Sequence, residues 1–186
     1  MSYKFRKDSR TDKQFADDLK KYHKKEAVYS EAYRLHLEAD PYLSVECIEN
    51  GVDPTGEVIH GNIDDEYDYI YNITDNAAEE DFQRKIEIKT APEYLDKFFS
   101  FKVSSLKRCV KYGADLIVCK INSFWHMPLD HITPILEVFP HKIYYGFSPN
   151  DKAVRLLKED VENYLIKSDW HEDARYYIKS NVNILK

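Results

Sequence analysis

The chain has 186 residues, of which 43% are hydrophobic and 32% charged, with only 5 Gly and 7 Pro. This length suits one domain, and the composition excludes collagen-like, low-complexity and wholly disordered proteins. No apolar run approaches the roughly 20 residues that cross a bilayer, and the first residues lack the apolar stretch of a secretory signal. We therefore expect a soluble, cytoplasmic protein without a membrane partner. Three cysteines without CxxC spacing indicate neither a disulfide framework nor a zinc site.

Charge is unevenly distributed along the chain, although the formal net charge is only -6. Residues 40–83 contain 13 acidic residues and no Lys or Arg, whereas residues 1–25 contain 9 basic and 4 acidic residues and residues 84–112 contain 8 and 3. A pair of solvated loops is one explanation. The others are an acidic segment that gathers cations between basic segments that bind a polyanion, and an acidic surface that docks on a basic partner.

The first half of the chain predicts one helix followed by strands. Thr11 and Gln14 form a capping box, and apolar residues then recur at steps of three and four, which predicts a long amphipathic helix that ends near Asp40. Alternating β-branched and aromatic residues predict three strands, the last two paired as a hairpin with a long acidic connection: residues 44–49, 67–73 and 85–90.

The second half predicts alternating helices and strands. Phe99, Val103, Leu106 and Val110 form one apolar stripe, which predicts a helix that Gly113 ends. The pattern then predicts a buried strand, a short helix, a strand, a helix opened by a Ser-Pro pair, and a last helix: residues 114–121, 130–139, 142–147, 149–167 and 170–180. The fold expected is α/β, with a central mixed sheet flanked by helices in a single domain over residues 1–186.

The tripeptide Glu87-Ile88-Lys89 is the main candidate for catalytic chemistry. On a strand, its period of two sends Glu87 and Lys89 to one face, and Asp68 opens the neighbouring predicted strand. Two converging carboxylates suit Mg²⁺ or Mn²⁺, and an adjacent amine can hold or deprotonate a water and neutralise a phosphate oxygen. Glu26 falls on the inward stripe of the first helix, where a carboxylate needs an ion pair or a metal, unless the stripe ends there.

An inward helix Glu, an Asp at the start of a strand, and Glu-x-Lys on the next strand resemble the PD-(D/E)XK nuclease superfamily. This restriction-endonuclease-like fold includes Holliday-junction resolvases and phage exonucleases. The resemblance covers about residues 12–121, which would be the nuclease core, with residues 122–186 as a C-terminal extension packed on it.

The resemblance implies a role for each motif residue. Asp68 and Glu87 would bind the divalent cation, Mg²⁺ or Mn²⁺, and Lys89 would be the catalytic lysine. Glu26 would match the catalytic helix glutamate of many members and would be a further ligand of the cation. The carbonyl of Ile88 is an expected further metal ligand. The Pro of the family motif is missing before Asp68, so two nearby acids stay open as alternative ligands: Asp64 and Asp65.

Basic residues on both sides of the acidic segment are expected to hold DNA phosphates. They lie on the first helix and on the helix after Glu-x-Lys, whose segment FKVSSLKRC occupies the place of the family's fourth motif. The helical pattern turns Lys107, Arg108 and Lys111 towards solvent. The complete set of predicted DNA-binding residues is Lys20, Lys24, Lys102, Ser104, Ser105, Lys107, Arg108 and Lys111.

The function predicted is that of a Mg²⁺- or Mn²⁺-dependent deoxyribonuclease, an endonuclease or a structure-specific, recombination-type nuclease, acting on DNA and plausible as a homodimer. One alternative is a nucleic-acid-binding or structural protein on the same fold, whose acids balance basic neighbours. The other is an acidic interaction module in which residues 40–83 dock on a basic partner. The sequence does not distinguish single-stranded, double-stranded and branched substrates.

Overall fold

A computed structural model describes residues 12–49, 68–91, 98–143 and 152–185. It shows the mixed α/β architecture that the sequence predicts, with a central mixed sheet of six strands and helices on both faces. The elements in chain order are α1 (Asp12–Leu37), β1 (Leu43–Glu49), β2 (Tyr69–Asp75), β3 (Glu80–Thr90), β4 (Phe98–Lys102), α2 (Val103–Tyr112), β5 (Ala114–Cys119), β6 (Ser123–Met127), α3 (Leu129–Val138), β7 (Ala153–Leu157), α4 (Lys158–Tyr164), β8 (Ile166–Asp169), α5 (Glu172–Ser180) and α6 (Val182–Leu185).

The main sheet has the strand order β1-β2-β3-β5-β6-β8, and β4 and β7 form a separate antiparallel pair. Only β3 and β5 are parallel among these described pairings, because α2 crosses over between them. Successive side chains of β5 point to opposite faces of the sheet and belong to two separate core clusters. Ile117 and Cys119 pack towards α1 and α5, whereas Leu116 and Val118 pack towards α2, α3 and the small sheet.

The hairpin of β2 and β3 is tighter than the sequence predicts. Asp75 pairs with Glu80, so the acidic residues expected in a long connection lie mostly on the strands themselves. The Asp75 carboxylate accepts the backbone N–H groups of Ala77 and Ala78, which stabilises the short turn. This turn leaves the acidic side chains at the hairpin tip exposed to solvent: Glu79, Glu80 and Asp81.

Two predicted helices are wrong in part. Residues 98–102 form β4, and the helix begins only at Val103, since Phe99 and Phe101 point inward with the period of a strand. Residues 153–157 form β7, which pairs with β4, and only residues 158–164 of the predicted long helix are helical. In both places apolar residues happen to match a helical spacing, but pairing with a distant strand decides the conformation.

Three further differences concern the C-terminal half. The sequence does not predict β6, which lies in the loop expected after the strand of residues 114–121, nor β8. Of the strand expected at residues 142–147, Lys142 forms a single bridge to Ala153, and residues 144–147 lie outside the described part. The helix ending at Gly113 is confirmed, and this glycine adopts the left-handed conformation with φ of 71°.

None of the helices in the described part of the chain combines the length and the apolar character that a membrane span requires.

Candidate active site

The site lies where β3 continues beyond the end of β2. Tyr69, the first residue of β2, pairs with Ile86, so among the described residues only β5 pairs with residues 87–90 of β3. The edge of β3 beyond the end of β2, opposite β5, is called the open edge below. Asp68 occupies the open edge. Its backbone N–H donates to the Ile86 carbonyl at 3.1 Å, and its Oδ2 accepts the N–H of Ile88 at 2.7 Å.

This hydrogen bond also determines the direction of the Ile88 carbonyl. The N–H and C=O of one strand residue point to the same edge of the strand. Because the Ile88 N–H points to Asp68, its carbonyl points to the same open edge, where the sequence predicts a metal ligand. The alternative acids Asp64 and Asp65 lie outside the described residues.

Glu87 and Lys89 share one face of β3, as the strand period predicts. The Glu87 side chain is only 1% exposed, and its Oε1 accepts hydrogen bonds from Lys89 Nζ at 2.8 Å and from the guanidinium of Arg108. Lys89 Nζ also lies 3.8 Å from Asp68 Oδ2. The ammonium of Lys89 therefore lies between the two acids that the motif names.

Glu26 approaches this group from α1 on the opposite side of the sheet. Its side chain is 16% exposed, and its Oε2 lies 3.6 Å from Nδ1 of His23, one helical turn earlier. Burial raises the pKa of Glu26 to about 8, and the negative charge of Asp68 and, more weakly, that of Glu87 add to this shift against the opposing charge of Lys89. The three carboxyl groups are thus close enough to repel one another.

The same electrostatics affects the strand residues. Burial raises the pKa of Asp68 to about 6, the charge of Glu87 adds to the shift, and Lys89 and the Ile88 N–H oppose it. Burial disfavours the charge of Lys89, but the three carboxylates outweigh burial and raise its pKa above the ordinary value. Lys89 is accordingly an ammonium in this state, which donates hydrogen bonds and does not accept a proton.

One oxygen of the site lacks a partner within the described part of the chain. Glu87 Oε2 is buried and accepts no hydrogen bond there, although its Oε1 accepts two. An unsatisfied buried carboxylate oxygen is costly for folding and is a hard donor suited to Mg²⁺ or Mn²⁺. The donor set therefore fits such a cation chemically. In the described ranges, no three His, Cys, Asp or Glu side chains are already arranged as a metal site.

The predicted DNA-binding residues divide into two groups. All eight lie on α1, on α2 or at the residue before α2. Six of them are exposed and Ser105 is half-buried, and together these seven form the first group: Lys20, Lys24, Lys102, Ser104, Ser105, Lys107 and Lys111. The outward direction predicted for Arg108 is wrong, because its guanidinium donates to Glu87. α2 packs on β5, the parallel neighbour of β3, through its buried Leu106 and Cys109. Arg108, beside Cys109, reaches Glu87 on β3 from there.

Sequence reasoning missed the part that Arg108 and His23 play in the site. His23 precedes Glu26 by three residues, a spacing that places both on one helix face, so its proximity could have been inferred. No comparable signal exists for Arg108, since its contact with Glu87 depends on how α2 crosses the sheet.

No protein-family model matches the chain, and neither a curated protein nor a solved structure matches it. The resemblance to the PD-(D/E)XK nucleases remains a prediction from the motif residues.

Proposed function

We propose that this protein is a divalent-cation-dependent nuclease that hydrolyses phosphodiester bonds of DNA on a restriction-endonuclease-like fold. The observation that carries the proposal is the convergence of three motif residues at the open edge of β3. Lys89 Nζ lies 2.8 Å from Glu87 Oε1 and 3.8 Å from Asp68 Oδ2, although Asp68 is distant from the other two in the chain. Two acids and a lysine at a strand end suit phosphodiester hydrolysis.

The residues that would hold Mg²⁺ or Mn²⁺ are the carboxylates of Asp68 and Glu87 and the carbonyl of Ile88, with Glu26 as a further acid. When bound there, the cation would supply an activated water and positive charge at the scissile phosphate. Glu87 Oε2 supports this assignment because it is a buried oxygen with no partner in the described residues.

The protein's own residues have separate tasks in this proposal. Lys89, as an ammonium, donates a hydrogen bond to a phosphate oxygen and balances the negative charge that develops in the transition state. Arg108 holds the Glu87 carboxylate in place through Oε1 and leaves Oε2 available. Asp68 fixes the edge of β3 through the Ile88 N–H, so the positions of the two acids depend on each other.

Exposed basic residues on α1 and α2 would contact the DNA backbone. Lys102 directly precedes α2 and Lys107 lies on it, and this helix contacts the site through Arg108. Lys20 and Lys24 lie on α1, the helix that carries Glu26. Ion pairs with phosphates weaken as salt rises, because bound counterions are released. Binding to DNA should therefore be sensitive to ionic strength despite the net charge of -6.

The test is a cleavage screen with supercoiled, linear, branched and single-stranded DNA in Mg²⁺ or Mn²⁺. We expect cutting that a chelator stops and that Asp68→Ala, Glu87→Ala and Lys89→Ala each reduce by at least about 100-fold. The matched control is Glu80→Ala, which removes an exposed Glu from the same strand and should retain full activity. The proposal fails if no DNA form is cut, or if all three site variants cut normally.

A small one-domain nuclease often pairs to cut both strands of a duplex, and a homodimer would supply the second site. Light scattering during size-exclusion chromatography, with and without a duplex, tests this part of the proposal. A species that stays monomeric while it cuts both strands would exclude the dimer.

A structural ion-pair cluster is the second candidate, favoured by the double pairing of Glu87 Oε1 with Lys89 and Arg108. In that case the site would bind no cation. Titration calorimetry with Mn²⁺ separates the two, because a nuclease site should bind the ion and lose it in Asp68→Ala, whereas a structural cluster should release no heat in either protein.

A further inference from the structure

A cavity of about 620 Å³ lies at the carboxyl ends of the parallel strands β3 and β5. Thr90 and Ala91 at the end of β3 line one side, and the turn of residues 120–123 after β5 lines another. Trp125 on β6 and one face of α4 complete the wall. Ligands of open α/β sheets bind beyond the carboxyl ends of strands, so this position favours a binding site.

The lining combines aromatic rings with positive charge. Trp125 is half-buried, and Phe99 packs against it edge to face at 5.2 Å between ring centroids. The ammonium groups of Lys120 and Lys167 lie 5.3 Å and 5.8 Å from the Trp125 centroid. Among the described residues of the lining, Lys158 is a third basic residue and Glu162 is the one acid. A flat aromatic ligand that carries negative charge complements this surface.

The cavity is connected to the candidate site by the register of the sheet. Lys89 pairs with Val118, Val118 with Trp125, and Trp125 with Lys167, across four adjacent strands. Residues in register share one face of a sheet, so Trp125 lies on the face of Lys89, two strand spacings or about 10 Å away. A short piece of one nucleic-acid strand can span that distance.

We propose that this cavity binds one unpaired base of single-stranded DNA, stacked on Trp125, with flanking phosphates held by Lys158 and Lys167. A base inside a duplex has both faces covered by its neighbours, so only an unpaired base can stack on the indole. The preferred substrate is then single-stranded DNA or an end with unpaired nucleotides. The link to cleavage rests on the proposed nuclease function, whereas the binding itself does not.

The experiment measures binding without cleavage, by tryptophan fluorescence in a chelator. The chain has 2 Trp, and the other, Trp170, is buried, so quenching by a short oligothymidylate reports on Trp125. The anisotropy of a labelled oligonucleotide measures the affinity of each variant. We expect Trp125→Ala to weaken binding by about 5- to 150-fold and Trp125→Phe to bind within about threefold of the unmodified protein. A blunt duplex of equal length should bind with the same affinity to all three proteins.

Two further measurements decide the matter even if Trp125→Ala does not fold. An oligonucleotide of abasic residues should bind the unmodified protein as weakly as the oligothymidylate binds without Trp125. Replacing Lys158 and Lys167 by Ala should make the salt dependence of binding shallower by about 1.4 in the logarithmic slope. Lys179→Ala, on α5 and outside the cavity lining, is the matched control and should change nothing.

Equal affinity for the abasic and the normal oligonucleotide would overturn the proposal, as would unchanged binding by both Trp125 variants. These outcomes are independent of the cleavage screen. Base stacking without cleavage would support the cavity proposal and contradict the nuclease function. Cleavage without any effect of the Trp125 variants on binding would support the nuclease function and contradict the cavity proposal.

Discussion

Two carboxylate sites on the same sheet differ in how well their oxygens are satisfied. Asp115 on β5 has a partner for each oxygen, since Oδ2 contacts His126 Nε2 at 2.8 Å and Oδ1 accepts the Leu129 N–H at 2.8 Å. Burial alone would raise the pKa of Asp115, but the hydrogen bond and charge of His126 outweigh it and lower the pKa. At the candidate active site, Glu87 Oε2 lacks a partner among the described residues, and the pKa values of Glu26 and Asp68 are raised.

The difference shows which charges stabilise the fold. A carboxylate with complete hydrogen bonding at the first turn of a helix, as at Asp115, stabilises the folded state. Three mutually repelling acids with incomplete bonding destabilise it unless a ligand binds. The pKa of Asp115 is lowered, whereas those of Glu26 and Asp68 are raised, as expected for a structural pair at Asp115 and for the ligand site that we propose beside β3.

The largest expected effect is the loss of DNA cleavage when one carboxylate is changed to its amide, compared between the two sites. Glu87→Gln removes a charge from the site with almost no change in shape, and we expect cleavage to fall at least about 1000-fold. Asp115→Asn makes the equivalent change at the satisfied pair and should leave cleavage within about threefold. Single-turnover rates with Mg²⁺ measure both. Comparable losses in the two variants would remove the distinction between the sites.

The second effect is the coupling of cation binding to stability. A ligand that binds only the folded state raises the unfolding free energy by about 2.7 kcal/mol at one hundred times its dissociation constant. We expect Mn²⁺ to raise the melting temperature of the unmodified protein and of Asp115→Asn, but not that of Glu87→Gln. Thermal unfolding with and without Mn²⁺ measures this shift in melting temperature. A shift that persists in Glu87→Gln would contradict the assignment of the Glu87 carboxylate as a ligand of the cation.

The third effect is the pH dependence of stability in metal-free protein. The folded state holds the Glu26 proton up to about pH 8, whereas the unfolded chain releases it near 4.5, so stability falls as pH rises between these values. Glu26→Gln does not titrate and should be more stable than the unmodified protein by about 2–4 kcal/mol at pH 9, with little difference at pH 4.

Chemical unfolding at several pH values measures this difference. Asp17→Asn, which changes an exposed acid on the same helix, serves as the control and should follow the unmodified protein. Parallel pH profiles for Glu26→Gln and the unmodified protein would show that Glu26 ionises normally.

The smallest effect is at Asp115 and has the opposite sign. Its pKa is lowered from 3.8, so its contribution is present above that value and is lost as pH falls through the lower, folded-state pKa. Asp115→Asn should cost about 1 kcal/mol of unfolding free energy at pH 7. The cost should shrink as pH falls below 3.8 and disappear once the folded-state carboxyl group is protonated too, because both proteins then carry an uncharged side chain. A constant cost at all pH values would mean that shape, not charge, determines the contribution.

Several features of the fold were predictable because they depend on neighbours in the chain. The α1 stripe, the strand alternation around Ile86 and Ile88, and the glycine that ends α2 are all local patterns. The conformations of residues 98–102 and 153–157 were not predictable in this way. Their apolar spacing fits either period, and the pairing of β4 with β7 selects the strand.

The candidate site shows the same division. The period of β3 was enough to place Glu87 and Lys89 on one face, and the motif order was enough to nominate Asp68 and Glu26. The contact of Arg108 with Glu87 could not be predicted from the sequence. A helical pattern specifies which face of the helix is apolar, but not which strand residue a polar side chain at the border of that face contacts.

The linear order of residues by itself determined the α/β class, the bounds of the long first helix and the placement of Glu87 and Lys89 on one face of a strand, since these follow from local periodicity and side-chain type. Only the tertiary structure decided that β2 begins one residue after Asp68, so that residues 87–90 of β3 extend beyond it, and that Trp125 lies in register with Lys89. Strand register depends on contacts between segments that are distant in the chain, so the hydrophobic pattern of one strand restricts it but does not determine which residues pair.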